Sequence, residues 1–100
     1  MQITKAQLQG VLQQAQSGEI SFERLQLWCI HNYDPPEQAP AQSEPAHVRQ
    51  AMDMIMNEYE LVQLTKIRAE GLPLALAFLE CSAENFDELG KRFIRDAFLD

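Results

Sequence analysis

The chain has 100 residues, 46% of them hydrophobic, and a net charge of −7 from 15 acids against 8 bases. A chain of this length makes one domain, residues 1–100, and buries about two-thirds of the surface its unfolded form exposes. The charge excess repels nucleic acid and phospholipid, and the apolar content is too high for a disordered chain.

In chain order, Thr4 is placed to cap a first helix that runs to about Gln16, with Leu8, Val11, Leu12 and Ala15 on one side and glutamines on the other. Gly18 closes it as a left-handed residue, and Ser21 caps a second helix from Phe22 to about Tyr33. Phe22, Leu25, Trp28 and Cys29 form the inward stripe of that helix, and Leu27 and Ile30 widen it. The short break between the two helices predicts an antiparallel αα-hairpin. Asp34 to Pro45 holds four of the five prolines and reads as an exposed, partly extended connection.

The stretch from Pro45 to Gly71 organises the rest. Val48, Ala51, Met52, Ile55, Tyr59 and Val62 recur at three- and four-residue steps, the spacing of one helix face. With Ser43 as cap, Lys66 and Arg68 in the last turn and Gly71 as a left-handed terminator, the pattern predicts one helix of about 25 residues, roughly 38 Å long. Beyond Tyr59 the apolar set moves to Leu61, Leu64 and Ile67, so a second face opens or the helix kinks near Asn57.

Leu72, Leu74, Leu76 and Phe78 alternate with strand period, yet the residues between them are strong helix formers. A lone strand leaves backbone groups unpaired, so a short buried helix from Pro73 to Glu80 is the favoured reading. The alternative is an α+β fold with a hairpin over 61–79. Ser82 is placed to cap a last helix with acids first (Glu84, Asp87, Glu88) and bases later (Lys91, Arg92, Arg95), in the order that opposes the helix dipole. Phe86, Leu89, Phe93, Ile94 and Ala97 face inward, and Gly90 in mid-helix suggests close approach of another backbone. The fold class expected is all-α, four to five helices packed along one long central helix.

Three patterns invite a chemical reading. Glu44 and His47 have the Glu-x-x-His spacing of di-iron helices, but a second such pair and two more inward glutamates are missing. Cys29 and His31 lie two apart among apolar neighbours, without the close-paired ligands of a zinc site or the electropositive setting of a reactive thiol. Both Cys29 and Cys81 read as buried free thiols, as in a reducing compartment. The glycines at 10, 18, 71 and 90 are too scattered for a phosphate loop. No catalytic residue, metal or cofactor is expected. Met52 and Met56 fit the core stripe while Met54 points elsewhere, and Trp28 and Tyr33, with Asp34 and Glu37 nearby, read as core or as an interface anchor.

The N-terminal MQITKAQLQG lacks the charged start and apolar run of a signal peptide, so a cytoplasmic protein with no membrane contact is expected. The acidity is uneven: residues 1–50 carry five acids and three bases, and residues 51–100 carry ten and five. The expected partner is therefore a basic protein, met through Asp53, Glu58 and Glu60 on the long helix and Glu84, Asp87 and Glu88 on the last.

The capped hairpin AQSGEISFERLQLWCIHNYDPPE, with its G-E-I-S-F-E run and a Trp in the second helix, resembles small bacterial helical immunity-type proteins such as the colicin-immunity families. The resemblance covers about residues 1–34, and no inhibitory residue set carries over. It implies a small acidic protein that binds and blocks a toxin. The function expected is thus a non-enzymatic protein-binding module. The alternatives are a structural homodimer through the long helix, with Met54, Leu61 and Leu64 on its second face, and an accessory subunit of an enzyme complex.

Overall fold

Local chemistry sets the helix boundaries in the computed structural model, which describes residues 2–33, 39–40 and 44–99. The Thr4 hydroxyl accepts from the Gln7 N–H at 3.1 Å, and the Gln7 side chain accepts from the Thr4 N–H at 2.9 Å. This reciprocal box opens α1 (Lys5–Ser17). Gly18, at φ 84°, closes it, with Gly18 and Glu19 donating to the carbonyls of Ala15 and Gln14. The Ser21 hydroxyl accepts from the Arg24 N–H at 3.1 Å and opens α2 (Phe22–Tyr33). These boundaries agree with the sequence reading.

Of the proline-rich connection, Ala39–Pro40 and Glu44–Pro45 are among the described residues. Gln2–Ile3 (β1) and Ala39–Pro40 (β2) pair in parallel, Gln2 with Ala39 and Ile3 with Pro40. Ser43, the expected cap of the next helix, lies outside the described residues.

The long helix is shorter than its periodicity predicts. α3 runs from Ala46 to Leu61, and Val62 leaves it in extended conformation. Gln26 of α2 explains the stop, because its amide donates to the carbonyls of Tyr59 at 3.1 Å and Val62 at 2.6 Å, taking acceptors that another helical turn would need. A 3₁₀ turn follows at Leu64–Lys66, and Ile67 is buried while pairing antiparallel with Phe98. Leu61, Leu64 and Ile67 were thus the signature of a break rather than of a second helical face. Lys66 and Arg68 fall beyond the helix and do not oppose its end.

Gly71 is no left-handed terminator. It begins α4 (Gly71–Leu79), which buries Leu72, Ala75, Phe78 and Leu79 at helical spacing. The 72–80 stretch is therefore helix, and the hairpin alternative is excluded. Pro73 sits in the first turn, where its missing N–H has no helical partner to lose. Ser82 and Asn85 exchange backbone-to-side-chain bonds of 2.7 and 3.3 Å in a turn ahead of α5 (Phe86–Asp96), so the last helix starts later than predicted.

The architecture is all-α, five helices among the described residues, with the one short parallel pair at its edge. The core draws on every helix, from Leu8 and Leu12 through Leu25, Met52, Ile55 and Tyr59 to Phe78 and Phe93. Tyr59, Phe93 and Phe98 pack with ring centroids 5.1 to 6.1 Å apart, and Phe78 joins Phe86 and Phe93 at 5.3 and 6.0 Å. Such aromatic pairs add about 1 kcal/mol each beyond their buried area. The predicted αα-hairpin does not form a tight pair: α2 packs chiefly on α3 and α1 chiefly on α4. Among the described residues no helix is long and apolar enough to cross a membrane.

Candidate functional site

α3 divides the surface. Its inner arc (Val48, Ala51, Met52, Ile55, Met56, Tyr59) is buried. One edge of its outer arc carries Arg49, Asp53 and Glu60, four and seven residues apart and hence aligned. This edge faces α2, where the Glu60 charge reaches Cys29. The other edge carries His47, Met54, Glu58 and Leu61, again aligned, and faces α5. Here Met54 lines a groove and His47 lies close enough to act on Glu84.

The six acids predicted from the sequence are accordingly not one patch. Asp53 and Glu60 flank the α2 side, Glu58 stands on the α5 side, and Glu84, Asp87 and Glu88 gather before and within the first turn of α5. Burial raises the Asp53 carboxyl above its ordinary range, against the pull of Arg49. The Glu84 carboxyl is held below its ordinary range by its own backbone N–H, by the Ser82 hydroxyl and by His47. Glu88 meets Arg92 at 3.9 Å, as its i,i+4 spacing predicts.

The α3–α5 groove has a volume of 380 Å³ and is lined by Met54, Phe86, Asp87, Gly90, Lys91, Ile94 and Arg95. Its floor is apolar and its rim charged. Gly90 makes the floor possible for a reason other than backbone approach: a Cβ there would stand 3.0 Å from Cζ of the Phe78 ring. Ile94, expected inside, is 44% exposed and forms the groove's outer lip. Phe86, Gly90, Lys91, Ile94 and Arg95 were not singled out as a site by the sequence. The signal present there was Met54, an apolar residue set off the buried stripe of its helix.

A second cleft runs between α1 and α2, the consequence of their slight contact. Two hollows of 450 and 500 Å³ meet at Val11, Gln14 and Trp28, so Trp28 is half-buried and floors both. The side chain of Tyr33, with Asp34 and Glu37, lies outside the described residues.

The remaining sequence motifs separate in space. Cys29 is fully buried and His31 exposed, as two residues 200° apart on a helix must be. Burial, with a smaller push from Glu60, raises the Cys29 thiol to about 12, which holds it protonated and unreactive. Cys81 is likewise a buried free thiol, raised by burial. Glu44 of the Glu-x-x-His pair accepts from the Lys5 N–H at 2.8 Å, capping the start of α1. Among the described residues no group of three His, Cys, Asp or Glu side chains is placed to hold a metal ion.

Comparison with known protein families, with curated proteins and with solved structures finds no match.

Proposed function

We propose that this chain is a non-enzymatic protein-binding module that holds a positively charged partner against the solvent side of α3. The observation carrying this reading is the charge of that helix: Asp53 and Glu60 on its α2 edge and Glu58 on its α5 edge fall within eight residues, and no base occurs between Arg49 and Lys66. Elsewhere Lys5 pairs with Glu80 at 3.1 Å, Arg92 with Glu88 and Arg95 with Asp96 at 3.1 Å, and the excess of 15 acids over 8 bases leaves the net field acidic. Such a field speeds encounter with a basic partner by about tenfold or more at low salt and fixes its orientation. The immunity-type form of this proposal makes the partner a toxin that the acidic face blocks.

Affinity capture from the native cell, at low and high salt, tests it against a variant carrying Asp53→Asn, Glu58→Gln and Glu60→Gln. The expected result is a partner retained by the native chain at low salt and lost both at high salt and by the variant. No captured protein at low salt, or equal capture by both chains, contradicts it.

A further inference from the structure

We propose that the smaller hollow between α1 and α2, beside Trp28, binds an uncharged sugar ring. Its volume is 450 Å³, ample room for one such ring. The hollow stands out by its lack of charge. The chain carries 15 acids and 8 bases, and none of them lines it. Its polar lining is three amides, those of Gln7, Gln14 and Asn32. Gln7 Oε1 accepts from the Thr4 N–H at 2.9 Å, which leaves its Nε2 as a donor. Asn32 Nδ2 donates to the Trp28 carbonyl at 2.8 Å, which leaves its Oδ1 as an acceptor. Gln14 adds a whole amide, able to do both.

Gly10, between these amides on α1, is an independent sign. Glycine inside a helix is unfavourable relative to alanine. Gly71 and Gly90 have close neighbours that call for it, whereas a Cβ on Gly10 would meet nothing within 4 Å. Its missing side chain does not serve a close contact in the fold. It leaves the hollow open and the α1 backbone approachable.

The lining selects the class of ligand. An ion entering the hollow would lose water with no opposite charge to replace it. A wholly apolar ligand would strip water from three amides and leave them unpaired. A nucleobase calls for stacking partners on both faces, and the hollow has one aromatic ring. A sugar ring offers C–H faces to Trp28, Ile3 and Val11, and hydroxyls that both donate and accept to the amides. The hollow of 500 Å³ shares Val11, Gln14 and Trp28 with the first, so a second linked ring has room to follow. None of Asp53, Glu58 and Glu60 lines either hollow, so this site and the acidic face stand or fall separately.

Trp28 is the one tryptophan of the chain, so its indole N–H gives a single proton–nitrogen NMR signal to follow. Glucose, galactose, N-acetylglucosamine, maltose, chitobiose and, as a base, uracil are titrated into the full chain. Each is taken to about 50 mM, because ligands this small reach dissociation constants of about 1–10 mM. The expected result is a saturable shift of that signal with at least one of the five sugars. Gly10→Leu should stay folded by circular dichroism, with an unchanged or higher Tm, and weaken the titration about tenfold or more. Gln14→Ala, at an exposed position, should weaken it about threefold or more. No saturable shift with any sugar overturns the inference, as does a shift that Gly10→Leu leaves unchanged or a response to uracil alone. A Gly10→Leu chain that unfolds overturns it too, since position 10 would then face the fold and not open space.

Discussion

α5 takes part in two contacts that differ in closure. At its C-terminal end the chain presses on the start of α4 so closely that a Cβ on Gly71 would overlap the carbonyl oxygen of Ala97 and lie 2.8 Å from its carbon. Along its flank, beside α3, Met54 and Ile94 border an open groove. Both regions are apolar, and the sequence around them is similarly rich in Leu, Ile and Phe. Backbone packed on backbone leaves no room for a side chain, whereas two helix edges leave a trough that side chains line without filling. The first contact holds the fold and the second is surface available for binding.

The sharpest way to break that distinction is Gly71→Ala. The neighbour it meets is backbone and cannot rotate aside, so the loss should be about 3 kcal/mol or more in urea unfolding. A loss below about 1 kcal/mol would show that the α4–α5 junction yields.

The core contact of α2 with α3 gives a pH signature. Below pH 9, the ordinary thiol value of 9.0, the Cys29 proton is bound in both folded and unfolded chains and stability is complete. Between there and about 12 the unfolded chain releases this proton and the folded chain keeps it. Stability should fall as pH rises through that window, by about 1.4 kcal/mol per pH unit. Cys29→Ala should remove much of the slope, at a cost of about 1–3 kcal/mol at neutral pH from lost packing. In the native chain Cys29 should also resist a water-soluble thiol reagent that labels it after unfolding.

Gly90→Ala probes the groove's floor from below. The added methyl meets the Phe78 ring at 3.0 Å, and that ring is held by Phe86 and Phe93. The helix-propensity gain of about 1 kcal/mol should be outweighed, leaving a net loss of about 1 kcal/mol by thermal unfolding. Tyr59→Phe runs the other way. Among the described residues the buried Tyr59 hydroxyl has no hydrogen-bond partner, so its removal should raise stability by about 1 kcal/mol, and a loss would reveal a partner for it.

How much of this was legible depended on whether the deciding interaction was local. Thr4, Gly18 and Ser21 act on residues one to five positions away, and their roles were readable from the chain. The end of α3 is set by Gln26, 33 and 36 residues distant from the carbonyls it engages, and no periodicity in 45–71 encodes that. Gly71 was recognisable as special but not for the right reason, since its neighbour Ala97 lies at the other end of the next helix. Among the candidate site residues, Met54 was marked by its position off the buried stripe. Ile94 was assigned inside because its helix alone cannot say how far α3 extends over it. The six acids were legible as acids, but their division between two edges of α3 required the positions of α2 and α5.

The central claim is that the α3–α5 flank is surface kept apart from the fold, and Ile94→Glu tests it most directly. Measured by urea unfolding, the variant should lose less than about 1 kcal/mol, because Ile94 is already 44% exposed. A loss of about 3 kcal/mol or more would place Ile94 in the core and contradict the account.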